Sequence, residues 1–151
     1  MASKRCIFLT LWHAALGLQR QGPRSWHSDR LREEVQELNE ARTYVEKISE
    51  ASDVLFTISR ARHEGLDIRP LPGFFDRKYT LAYLYMVGKF SSRWLFYLTA
   101  SLICRAPHAV REVVNPTKEE KLFLVAARHQ LDPTKFTRVC RKLLRIWPLL
   151  P

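Results

Sequence analysis

From residue 29 to the carboxyl end, apolar positions recur every three or four residues, the spacing of one face of an α-helix, and there is little sign of strand-like alternation. Leu31, Val35 and Leu38 form such a stripe on a helix predicted over residues 29–41, with Ser28 as its cap and Asp29, Glu33 and Glu34 at its positive end. Thr43 and Glu46 stand in capping-box spacing, so a second helix is predicted from there to about His63, stopping before Gly65. Its stripe is Tyr44, Ile48, Ala51, Leu55 and Ile58. The connecting turn falls near residues 41–43, and Pro70 and Pro72 make the stretch from Gly65 to Gly73 a loop. Residues 76–104 keep helical spacing from Tyr79 through Met86, Phe90 and Tyr97 to Cys104 and are apolar on nearly every side, which predicts a central buried helix. Gly88 with Ser91 and Ser92 marks a point where it could split. A short helix is predicted from Pro107 to Val114, a second capping box at Thr117 and Glu120, and a last helix from Asp132 and Pro133 to about Trp147. The expected fold is therefore all-α: a helical bundle of five to seven helices in a single domain over residues 1–151. It is built around an antiparallel acidic helix hairpin at 28–63 and carries a C-terminal basic helical pair at 117–147.

Residues 1–25 admit two readings. Lys4 and Arg5 precede a mostly apolar run from Cys6 to Leu18, and no acid occurs before Asp29, as in a targeting segment. A secretory signal is blemished by His13; Arg20 and Arg24 suit a mitochondrial presequence. The alternative is a first helix packing Phe8, Leu11, Trp12, Ala15 and Leu16. A cytoplasmic location is expected, with mitochondrial as the alternative. Lys89 and Arg93 interrupt the longest apolar segment, 81–104, so no transmembrane segment is predicted.

With 151 residues, 46% of them apolar, the chain can enclose one sizeable core, which excludes the disordered and low-complexity classes. The net charge of +10 favours anionic partners: nucleotides, nucleic acid or an acidic membrane surface. Cys6, Cys104 and Cys140 are odd in number and form no CxxC pair, so neither a disulfide framework nor a zinc site is indicated. The five histidines are dispersed, and no glycine-rich phosphate loop is present.

The candidate chemistry lies in the acids. Glu33, Glu34 and Glu37 are followed by Glu50 and Asp53, that is EExxE, twelve residues, ExxD. Spacing of three places both acids of a pair on one helix face. With a turn at residue 42, Glu34 and Glu37 lie ~10 Å back along one helix and Glu50 and Asp53 ~13 Å along the other, so the pairs face each other nearly level. Four converging carboxylates repel unless hard cations such as Mg²⁺ or Mn²⁺ intervene. WHSDRLREEVQEL followed by ISEASDVLFTISRA resembles the core motif of the all-alpha nucleoside triphosphate pyrophosphohydrolases, the MazG-like superfamily, over about residues 26–63. The resemblance implies a dimeric or tetrameric helical bundle that hydrolyses a nucleoside triphosphate to the monophosphate and pyrophosphate with Mg²⁺. It implies Glu34, Glu37, Glu50 and Asp53 as metal ligands and Glu33 as the preceding acid. Phosphate-binding candidates that would follow are Arg77, Lys78, Lys89 and Arg93.

A noncatalytic alternative comes from residues 118–145. Ala126, Leu131, Phe136 and Val139 occupy positions like the apolar sites of a helix-turn-helix, and Lys135, Arg138, Arg141, Lys142 and Arg145 decorate the second helix. Such a pair would bind nucleic acid or act through protein contacts. Gln130 stands where glycine is frequent, and the apolar tail from Ile146 to Leu150 suggests docking onto the body.

Overall fold

The structure, a computed structural model, describes residues 7–147. Lys4, Arg5 and Cys6 of the amino-terminal run, and Leu149 and Leu150 of the tail, lie outside the described residues. The fold is all-α: α1 (Ile7–Leu16), α2 (Arg24–Glu40), α3 (Tyr44–His63), α4 (Arg77–Ile103), α5 (Glu119–Arg128) and α6 (Pro133–Ile146), with no strand among the described residues. No helix described is long and apolar enough to cross a membrane. By its contacts the chain divides into two compact units, Met1–Val87 and Gly88–Pro151. The division falls inside α4, which runs unbroken through Gly88, Ser91 and Ser92.

In the first unit, α2 and α3 form the antiparallel hairpin, and α1 packs on α3. The buried stripe of α1 is Leu9, His13 and Leu16, whereas Phe8, Leu11 and Ala15 are exposed. The stripe expected from apolarity is rotated because His13 turns inward to Ser59 and the Phe56 ring of α3. Helix α2 starts earlier than the expected Ser28 cap. It begins at Arg24, after an extended Pro23 that provides no side-chain cap, and Ser28 lies a turn inside. Arg24 donates to the Asp67 carbonyl at 2.9 Å and His27 meets Glu64, so tertiary bonds hold the chain upstream of the hydroxyl expected to start the helix.

The capping box of α3 forms as expected. Thr43 Oγ1 accepts the Glu46 N–H at 3.2 Å, and Glu46 Oε2 accepts the N–H groups of Thr43 and Arg42. These backbone donors hold the Glu46 carboxyl below the usual carboxylate range. The helix ends at Glu64 and Gly65, whose φ of +90° glycine adopts without penalty, and Leu66 N–H reaches back to the Ala61 carbonyl at 2.8 Å.

The second unit encloses a core of Phe96, Tyr97, Ala100, Val110, Leu122, Val125, Ala126, Phe136, Cys140 and Leu143. Asp132 caps α6 by accepting the Lys135 N–H at 2.9 Å, with Pro133 in the first turn. Two expectations fail here. The segment from Pro107 to Val114 is irregular rather than helical. Its buried Glu112 is bonded to His129 and Arg128, and Val110 and Val113 are buried, so its groups find partners on other elements rather than on each other. The second capping box is absent, because both the N–H and the hydroxyl of Thr117 are taken by Asn115 Oδ1, and α5 starts at Glu119 without a side-chain cap. Trp147 docks by donating to Ser92 Oγ at 3.0 Å, whereas Ile146 is 76% exposed.

Candidate metal centre

Of the residues in α2, two are buried, and both are ionisable: His27 and Glu34, seven apart on one face. Leu31, Val35 and Leu38 are only half-buried. The fully buried positions that α2 contributes to the hairpin are therefore polar, whereas α3 buries Leu55, Phe56 and Ile58, and the register rests on two anchors. At the open end His27 Nε2 and Glu64 Oε2 are 2.9 Å apart, and Glu64 also accepts from the Gln21 N–H and faces Arg60 Nε at 3.4 Å. At the closed end, the residues between α2 and α3 are fixed by the capping box.

Between these anchors Glu34, Glu50 and Asp53 converge: one carboxylate oxygen of each lies within 4.8 Å of the others. Glu34 is 2% exposed. Its Oε1 pairs with the Arg30 guanidinium one turn earlier, and its Oε2 is buried with no hydrogen-bond partner among the described residues. Burial pushes this carboxyl up to about 7; Arg30 opposes the rise, and the charges of Asp53, Glu37 and Glu50 add to it. Glu50 and Asp53 are half-buried. Ser52 lies buried between them in sequence, its hydroxyl donating to the Ser49 carbonyl at 2.5 Å and lying 3.5 Å from Asp53 Oδ1.

A hard divalent cation fits this donor set. Around Mg²⁺, with bonds of about 2.1 Å, neighbouring oxygens sit roughly 3 Å apart and opposite ones roughly 4 Å, a range the three carboxylates nearly meet. The buried unpartnered Oε2 supplies the second indication, because such an oxygen is costly unless a proton or cation occupies it.

The remaining candidate residues stand elsewhere. Glu37 is exposed and outside the triad, although its charge still reaches Glu34. Glu33 is exposed on the outer face, 2.9 Å from Arg30. Arg77 and Lys78 are exposed at the start of α4, with the Lys78 ammonium 5.5 Å from the Tyr79 ring. In the second unit Lys89 is half-buried, 5.7 Å from the Phe90 ring. Arg93 is buried there and donates to the Val113 carbonyl at 3.3 Å. The Arg30 partner of Glu34 is signalled in sequence by its i, i+4 spacing on one helix.

The fold also gathers histidines that sequence leaves dispersed. His13 and His63 stack at 5.4 Å beside a cavity of about 290 Å³ lined by Leu9, Ser59, Arg62, Leu66 and Leu71. The Ser59 hydroxyl donates to the Phe56 carbonyl at 3.0 Å, so His13 Nε2–H donates to Ser59 and is not placed as its base. Burial, with the charges of His63 and Arg60, pushes His13 down to about 3, so it is neutral. No family model, curated protein or solved structure matches this chain.

Proposed function

We propose that this chain is a nucleotide pyrophosphohydrolase that uses Mg²⁺ or Mn²⁺ to split a nucleoside triphosphate into the monophosphate and pyrophosphate. The observation that carries the proposal is the convergence of Glu34, Glu50 and Asp53 across the hairpin, with a buried carboxylate oxygen left for a cation. Glu34, Glu50 and Asp53 would hold the ion, and Glu37 adds negative potential one turn away that draws cations in. When bound, such an ion neutralises phosphate charge and lowers the pKa of its water.

The chain's own residues have separate tasks. Arg30 fixes the rotamer of the Glu34 carboxylate through Oε1 and leaves Oε2 directed to its own use. A proton held at Glu34 near neutrality must leave before this oxygen ligates, so cation binding is coupled to proton release. Arg77 and Lys78, exposed in the same unit, would pair with phosphate oxygens. Lys89 and Arg93 are assigned no role.

The test is a panel of canonical and modified nucleoside triphosphates incubated with Mg²⁺ or Mn²⁺ and assayed for pyrophosphate. Turnover of at least one is expected, and Asp53→Ala and Glu50→Gln should abolish it with helical circular dichroism unchanged. Absence of pyrophosphate from every substrate, together with no Mn²⁺ bound to wild type by electron paramagnetic resonance, would overturn the proposal.

A further inference from the structure

The chain's +10 is unevenly placed. Residues 88–151 hold twelve Lys and Arg against four Asp and Glu, and residues 1–87 hold thirteen against eleven, so the second unit carries +8 and the first +2. Within the second unit, α6 concentrates this excess on one side. At ~100° per residue, Lys135, Arg138, Lys142 and Arg145 fall within an arc of about 80°, opposite the buried Phe136, Cys140 and Leu143. All four are exposed. Arg141 borders the arc but is paired with Glu119, and the Lys135 ammonium donates to the Cys104 carbonyl at 3.3 Å. Arg138, Lys142 and Arg145 make no ion pair among the described residues.

We propose that this cationic face of α6 binds the phosphate backbone of duplex DNA without reading its sequence. Helix α6 contains no acid, and the other exposed residues flanking that side are Thr134 and the terminal Ile146, neither of which carries charge. An interfacial membrane helix needs a free apolar face, and the apolar face of α6 is spent in the core. Of the four cations only Lys135 lies in the first turn, the part of a helix that meets base edges, and its ammonium is bonded to the Cys104 carbonyl; the other three lie further along the helix, where contacts fall on phosphates. The four cations span ~15 Å of helix, a length over which a duplex presents roughly nine phosphate charges. Arginine guanidinium groups, two of the four, suit phosphate oxygens through paired donors.

Fluorescence anisotropy of the full chain with two labelled duplexes of unrelated sequence, in chelator so that the hairpin carboxylates stay out of the measurement, tests this. Equal affinity for both is expected, falling about 100-fold between ~50 and ~200 mM salt, with a log–log slope of about −3.5 for four neutralised phosphates. Arg138→Ala with Lys142→Ala should flatten the slope by about 2, and Arg138→Gln with Arg145→Gln gives an independent pair. Arg32→Ala, removing an exposed cation of α2, should leave it unchanged. A slope of about −1 or flatter, unchanged binding in both double variants, equal loss in Arg32→Ala, or binding to phosphatidylserine–phosphatidylcholine vesicles without binding to duplex would each overturn the proposal.

Discussion

Replacing Glu34 by Gln keeps the volume of a buried side chain and removes its charge. In the fold this carboxyl titrates near 7, against 4.5 for a free glutamate, because burial and three neighbouring carboxylates outweigh Arg30. A shift of that size corresponds to about 3 kcal/mol between the two protonation states. The sign follows from proton uptake: between pH 4.5 and 7 the folded chain binds more protons at this group than the unfolded chain, so stability falls as pH rises through that window. Glu34→Gln lacks this loss. In chelator at pH 8 the variant should be more stable than wild type by roughly 1–3 kcal/mol, the lower end reflecting the weaker bond that an amide makes to Arg30. At pH 4 the two should unfold together. Urea titrations at both pH values measure the difference, and millimolar Mn²⁺ should shrink it at pH 8 by stabilising wild type alone. A variant no more stable at pH 8, or a difference that does not change with pH, would refute the claim that Glu34 is held against its preferred charge.

Further outcomes can be checked in the same way. Thr43→Ala removes the hydroxyl that caps α3 and should cost about 1 kcal/mol in denaturant unfolding. Phe136→Ala, at a fully buried ring stacked 6.4 Å from Tyr97, should cost about 3–5 kcal/mol by the same assay. Gln130 sits at φ +56°, so Gln130→Gly should raise the thermal midpoint, with a gain of roughly 0.5–1 kcal/mol. His13 titrates near 3 in the fold and 6.5 when free, so stability it contributes above 6.5 is lost as pH falls towards 3; His13→Gln should flatten the acid side of the stability profile.

The elements legible in sequence were those specified by local chemistry. The Thr43 and Glu46 box, the Asp132 and Pro133 start and the loop at Pro70 and Pro72 need only neighbouring residues, and they stand where spacing placed them. Thr117 looked equally strong, but a competing acceptor two residues away, Asn115, is invisible to a spacing rule. The rotated face of α1 and the early start of α2 depend on His13 and His27, polar residues whose burial is decided by partners 46 and 37 positions away. The site shows the same division. Periodicity and a correct turn brought Glu34, Glu50 and Asp53 level, whereas the exposure of Glu37 depended on how α2 rotates against α3.

The turn between α2 and α3 has a kinetic consequence. It closes between helices adjacent in sequence and is stitched by bonds among Arg42, Thr43 and Glu46, so it can form before any distant contact. Closing it carries the carboxylates of α2 towards those of α3 while much of the chain is still disordered. Their mutual repulsion should then oppose the folding transition state itself, and Thr43→Ala should slow folding more than it speeds unfolding. On the same logic, cations at the acidic face should act as a folding accelerator, raising the refolding rate of wild type and leaving that of Glu34→Gln less affected.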